Sequence, residues 1–134
     1  MNRTHLEGAA EALAVQQGYA FHTGPEDGMA HTVRSYPAAW LAPLELHAVE
    51  GRGHGRATYD MTLHLLSSGA RLSPTERCAA LARMEEQLLE IFAALSLDER
   101  VLAVEGLSVR PRAFALTPHG EISQTAAARI VTFF

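Results

Sequence analysis

Seven histidines are the first residues in this chain that could do chemistry: His5, His22, His31, His47, His54, His64 and His119. A metal site needs several imidazole, thiolate or carboxylate ligands converging at bonding distance. These histidines are scattered, and none forms an H-x-x-x-H or H-E-x-x-H pair. His47 and His64 fall on neighbouring predicted strands. One hairpin register sets His47 opposite Asp60, whose carboxylate would hold its ring. The pattern describes solvated or singly hydrogen-bonded histidines on a polar sheet face. No metal and no cofactor is expected. The one cysteine, Cys78, excludes an intrachain disulfide. It falls on the apolar side of a predicted helix, where a small buried hydrophobe is expected.

Other constellations fall short of a catalytic signature. Gly51-Arg52-Gly53-His54-Gly55-Arg56 superficially resembles a phosphate cradle. Such a cradle works because backbone amides and a following helix N-terminus face the anion. Here a strand follows, and no Lys-Ser or Lys-Thr pair is present. The segment is expected to be a hairpin tip. Arg52, His54 and Arg56 are its candidate contacts to an acidic partner surface. Ser67, Ser68 and Ser73 sit where turns and caps need a hydroxyl, and no G-x-S-x-G elbow occurs. Glu85-Glu86 is a solvated carboxylate pair. Trp40, flanked by Pro37 and Pro43, is expected to anchor a core or an interface. The alternative is a small ligand-binding or enzymatic α+β domain in which Trp40 and the histidines line a groove. Phe133 and Phe134, if exposed, would mark a subunit contact.

These side chains are positioned by a short list of elements. Thr4-His5-Leu6-Glu7 fits a capping box and predicts a helix over 4–17, with Leu6, Ala9, Ala10, Leu13 and Ala14 at helical spacing and Gly18 as its stop. Residues 19–23 predict a short strand, 24–28 an exposed loop, and 29–35 another short strand. Residues 36–49 are extended. Pro37 and Pro43 there place the strand at an edge or interrupt it. Residues 57–66 alternate cleanly: Ala57, Tyr59, Met61, Leu63 and Leu65 on one face, Thr58, Asp60, Thr62 and His64 on the other. With the glycine segment this makes a long protruding hairpin.

Ser73-Pro74-Thr75-Glu76 superimposes a serine N-cap, a proline at the first helical position and a capping-box glutamate. Leu81, Met84, Leu88, Ile91 and Leu95 follow at spacings of three and four, so a helix runs from Ser73 to about Leu95. Its stripe spans only about two heptads, fewer than a coiled coil needs, so it is matched to a sheet. Strands are expected at 101–109 with a bulge at Gly106, at 113–116, and at 122–134, with a turn at 117–120. The order predicts an α+β domain, 1–134, with two helices packed on one face of a mainly antiparallel sheet. Only the crossover after residue 95 is expected to yield a parallel pair.

Composition bounds the function. The chain has 134 residues, a net charge of -4 and 19% charged residues. It lacks the basic excess of a general nucleic-acid binder. No apolar run reaches the length of a membrane span, and no secretory h-region is present. Nucleic acid and membrane are therefore not expected as main partners, and the cytoplasm is the expected compartment.

The element order resembles the phage tail-terminator, or tail-completion, family. The matching features are the helix from Thr4 to Gln17, the extended Pro37-Ala38-Ala39-Trp40-Leu41 segment, and the long hairpin with Tyr59-Asp60-Met61-Thr62-Leu63 in its return strand. The helix from Pro74 to Leu95 and a final strand pair complete the set. The resemblance covers nearly the whole chain and rests on pattern more than on identity. It implies a structural protein of phage or prophage origin, placed in the virion tail. Such a protein forms a homo-oligomeric ring, typically a hexamer, on the tail tube and contacts other tail or head-joining proteins. No enzyme activity is expected on this resemblance.

Overall fold

The computed structural model describes residues 2–134. Within them, three helices and six strands follow in the order α1 (Asn2–Gln16), β1 (Ala20–Thr23), α2 (Met29–Thr32), β2 (Ala38–Leu41), β3 (Glu45–Gly51), β4 (Gly55–Ser67), α3 (Pro74–Leu95), β5 (Val101–Pro111) and β6 (Ile122–Phe133). A 3-10 turn at Glu26–Gly28 precedes α2. The strands form one sheet in the order β1-β2-β4-β6-β5, with β3 also paired to β4. The fold class is α+β with mostly antiparallel pairing, as the element order predicts.

β4 organises the sheet. Its whole length pairs with β6, from Arg56 opposite Phe133 to Ser67 opposite Ile122. Its other edge is shared: β3 takes Gly55 to Asp60 and β2 takes Leu63 to Leu66. The break between β2 and β3 contains Pro43, so the extended 36–49 segment is interrupted where proline removes a ladder donor.

Strand alternation divides the core between the two faces. Ala57, Tyr59, Met61, Leu63 and Leu65 of β4 meet Leu6, Ala10 and Ala14 of α1 and Met84, Leu88, Ile91, Phe92 and Leu95 of α3. On the opposite face, Ala38, Trp40 and Leu66 meet Met29 and Val33 around the short α2. The buried α3 residues recur at the spacing of an amphipathic helix laid on a sheet. Its start carries the predicted capping box. Ser73 Oγ accepts from the Glu76 amide at 3.1 Å, and the Ser73 amide donates to Glu76 Oε1 at 3.3 Å. Ser73→Ala is expected to cost about 1 kcal/mol of unfolding free energy, read as a lowered urea midpoint with an unchanged slope.

Several expectations need correction. The parallel pair is β1 with β2, Ala20 opposite Ala38 through Thr23 opposite Leu41. The crossover through α3 delivers β5 beside β6 instead, where the pairing is antiparallel. Residues 29–35 are not a strand. Met29 and Val33 are both buried four positions apart, a helical spacing, and α2 forms there. α1 already includes Asn2, so Thr4 lies within its first turn and is not the cap. The Asn2 side-chain amide donates to Thr132 Oγ1 at 3.0 Å, tying the helix start to β6. Cys78 is exposed. It lies on the flank of α3 that also carries exposed Glu85 and Leu89, and burial begins only at Ala80. Residues 113–116 form no strand. The loop there is held by buried Glu121, whose carboxylate accepts from the Thr117 amide at 2.9 Å and hydroxyl at 2.6 Å. The expected bulge at Gly106 is present: the β5–β6 register shifts between Glu105 and Ser108, and Gly106 has φ 63°.

Candidate functional site

Two regions stand out. The first is the hairpin of β3 and β4. The β3 strand is exposed at every residue and pairs only through β4, so its other edge is open. Leu46 and Val49 are 51% and 55% exposed on it, opposite Tyr59 and Ala57. Phe134 lies nearby and is half-exposed; its amide donates to Gly55 O at 3.0 Å, and the Gly55 amide donates to Phe134 O at 3.2 Å. The turn between the strands presents Arg52 and His54 to solvent. Arg56 is also exposed, opposite Glu50 on β3 and Phe133 on β6. The three predicted contact residues therefore sit together at one end of the hairpin. β4 itself lies between β3 and β6 as far as the turn, so β3 and the turn are the projecting parts.

The turn depends on two of its glycines. Gly51 has φ 111°, and a Cβ there would collide with the His54 carbonyl oxygen. A Cβ on Gly55 would collide with the Glu50 carbonyl oxygen.

The second region is the outer face of the sheet, away from α1 and α3. His64, expected on a polar and solvated face, is wholly buried there. The correction has a local cause: the 3-10 turn folds over this face and delivers Glu26 to the ring. His64 Nε2 lies 2.8 Å from Glu26 Oε1, and Nδ1 lies 2.7 Å from Thr125 Oγ1 on β6. A carboxylate only accepts, so Nε2 carries the proton. Nδ1 of the neutral ring then accepts from the Thr125 hydroxyl. Arg112 Nε donates to the same Thr125 oxygen at 3.2 Å. Burial pushes the His64 pKa below its ordinary 6.5; Glu26 opposes the shift and the Arg112 charge adds to it.

This shift has a definite sign for stability. Below pH 6.5 the unfolded imidazole takes a proton that folded His64 resists. The unfolded state then binds more protons, so stability falls as pH drops through that window. His64→Gln is expected to remove this component. Urea midpoints measured across the window would then fall less steeply in the variant than in the wild type.

The remaining histidines stay apart. His5 Nε2 sits 2.7 Å from Asp98 Oδ1, joining α1 to the turn after α3. His22 stacks on Trp40 with ring centroids 6.0 Å apart. His47 Nδ1 reaches Asp60 Oδ2 at 3.5 Å, but Glu45 is the residue directly opposite Asp60. The register shifts between Leu46 and Ala48, so His47 reaches Asp60 diagonally. His119 contacts the Ala30 carbonyl at 3.3 Å, while His31 and His54 are exposed. Trp40 is 2% exposed, packed in the smaller core, and donates from Nε1 to Gly24 O at 2.9 Å. It is a core anchor and lines no groove.

Among the described residues no group of three His, Cys, Asp or Glu side chains is placed to hold a metal ion. No helix of the described residues is long and apolar enough to cross a membrane. Sequence reasoning missed Glu26 and Thr125. The only available signal was the parity that puts His64 on the outer face of β4; the strand opposite it and the turn above it are long-range facts. The chain matches no family model and no curated protein sequence.

Proposed function

We propose that this chain is a structural assembly protein of phage or prophage origin that acts as a ring of identical subunits, in the manner of the tail terminators it resembles. The observation that carries the reading is β3, an exposed edge strand with an unpaired side. Natural edge strands are usually guarded by charged side chains, lysine above all, by proline, by bulges, by extreme shortness or by a covering element. β3 has seven residues and contains neither lysine nor proline; its guards are Glu45, Glu50 and the irregularity between Leu46 and Ala48, and between them it displays Leu46 and Val49. That is a surface suited to adding a strand from another subunit. A head-to-tail contact of this kind closes into a ring when its rotation permits.

The turn beside that edge supplies a second contact. Arg52, His54 and Arg56 project from it and suit an acidic face on a neighbouring tail or head-joining protein. Half-exposed Phe133 and Phe134 extend the apolar part of the same region. The low charge content of the chain, 19%, is compatible with surface reserved for burial.

Size-exclusion chromatography with light scattering tests the proposal over a range of protein concentrations. A discrete closed oligomer is the expected result. A strict monomer at the highest concentration would overturn it.

A further inference from the structure

The outer face of the sheet is divided by charge. At one end of the strands, two adjoining hollows that reach from β3 across to β5 bring together Glu26, Glu45, Asp60 and Glu105, with Arg129 Nε 3.6 Å from Asp60 Oδ1. Farther along β5 and β6, past Ser108 and Ala127, the lining changes. A concavity of about 540 Å³ there is lined by Ser108, Arg110, Arg112 and Thr125 among its polar residues and by no carboxylate. Arg110 lies directly opposite Thr125 in the β5–β6 ladder. Among the described residues, neither Arg110 nor Arg112 has an acidic oxygen within ion-pair distance. In a chain of net charge -4, two exposed guanidiniums beside one hollow are a local reversal of the overall field.

The floor of this hollow is built. Thr125 Oγ1 receives Arg112 Nε at 3.2 Å and contacts His64 Nδ1 at 2.7 Å, and His64 is in turn held by Glu26 at 2.8 Å. With His64 neutral, the Thr125 hydroxyl proton points inward to Nδ1, and only oxygen lone pairs remain toward the hollow. With His64 protonated, Nδ1 becomes a donor. Thr125 then accepts from both His64 and Arg112, and its own O–H turns outward as a third donor beside the two guanidiniums.

We infer that the Arg110, Arg112 and Thr125 hollow is an oxyanion-binding site for a carboxylate or phosphate-type group, and that His64 sets whether Thr125 donates to it. Arginine suits this role because its planar fork matches the oxygen geometry of such groups. The groups that face His64 from each neighbouring element are Glu26 from the 3-10 turn, Thr125 from β6, Arg112 after β5, and Trp40 directly opposite on β2, on which His22 stacks. Binding and protonation are linked: a bound anion favours protonated His64, and acidification tightens anion binding. The site does not depend on the assembly reading, since β3 and the hairpin turn contribute nothing to it.

Calorimetric titration of the full chain with sulfate, whose charge is constant over the range, tests the proposal from about pH 8 down to about pH 5, because burial moves the protonation of His64 to the acid side of an ordinary imidazole. Ionic strength is held low and matched with chloride, because exposed charges are screened by salt. Acetate in a parallel arm at the neutral end, where it is fully ionised, separates a planar carboxylate from a tetrahedral ligand. Saturable binding of at least one is expected, tightening toward the acid end. Arg110→Gln with Arg112→Gln is expected to weaken it by about tenfold or more, as for lost charge-assisted hydrogen bonds. Both arginines are exposed, so the double variant keeps its fold. Thr125→Val is expected to lose most of the pH dependence, and Thr125→Ser to restore it. Amide chemical shifts of Ser108 and Thr125 in the wild type locate the bound ion independently. No saturable binding of either anion, or equal binding by the double arginine variant, would overturn the site. A flat wild-type pH profile would overturn the part assigned to His64.

Discussion

On the proposed assembly through β3, placing lysine at Leu46 and Val49 together is expected to leave a folded monomer. Both side chains are about half exposed on β3, so the substitutions disturb little of the monomer's own packing. Exposed substitutions of this kind usually change stability by about 0.5 kcal/mol or less. Their effect on association is far larger. Lysine on an edge strand is one of the devices by which natural sheets refuse a further strand. It must be desolvated if that edge is covered, which costs several times what the exposed pair could return. The measurement is light scattering with thermal unfolding of the same samples. Loss of the oligomer with a melting temperature within a few degrees of the wild type is expected. An intact oligomer in the double variant would move the contact away from β3 and leave the hairpin turn, β5 or β1 as the edge to examine.

Alanine at Gly55 is expected to cost about 2 kcal/mol or more, whereas alanine at Gly53 should be nearly silent, following the cost of forcing a side chain where the backbone leaves no room. A Cβ on Gly55 runs into the carbonyl of Glu50, across the ladder. The backbone cannot step aside, because the Gly55 amide and carbonyl are both engaged with Phe134. Gly51 is constrained differently, by its φ of 111° and by the His54 carbonyl. Gly53, between them, has open space for at least 4 Å around the position a methyl group would take, and no positive φ. The two variants each add one methyl group, so urea unfolding of the pair isolates the steric effect from composition. Gly55→Ala is also expected to weaken assembly, since the same shift displaces β3 and the end of β6. Equal stability of Gly53→Ala and Gly55→Ala would mean that the turn rearranges freely and does not hold Arg52, His54 and Arg56 in one place.

The legible parts of this protein were those governed by local rules. The capping box at Ser73, Pro74 and Glu76 needs only neighbouring residues, and α3 begins there. The alternation from Ala57 to Leu65 identified the buried face of β4, because side chains in a strand must alternate whatever it pairs with. The bulge at Gly106 and the break at Pro43 follow from backbone freedom and a missing donor. Where those rules conflict or fall silent, sequence reading went astray. Met29 to Ser35 has too few residues for periodicity to separate strand from helix. Cys78 falls three residues before Leu81, but it lies on the flank of α3 that also carries exposed Glu85 and Leu89, off the line of Met84, Leu88, Ile91 and Leu95, so it is exposed.

The sequence by itself determined the α+β class, the existence and buried face of β4, the start and face of the long helix, and the glycine-arginine turn as an exposed feature. Tertiary structure alone decided the parallel pairing of β1 with β2 and the division of one edge of β4 between β2 and β3. It also turned His64 from a residue on a polar face into a buried side chain held between Glu26 and Thr125. Glu26 and Thr125 lie 38 and 61 positions from it in the chain. No local propensity encodes a contact across such separations. It is set by which edges find partners and which segments fold over the face left open, and that choice is made by the burial of the whole sheet.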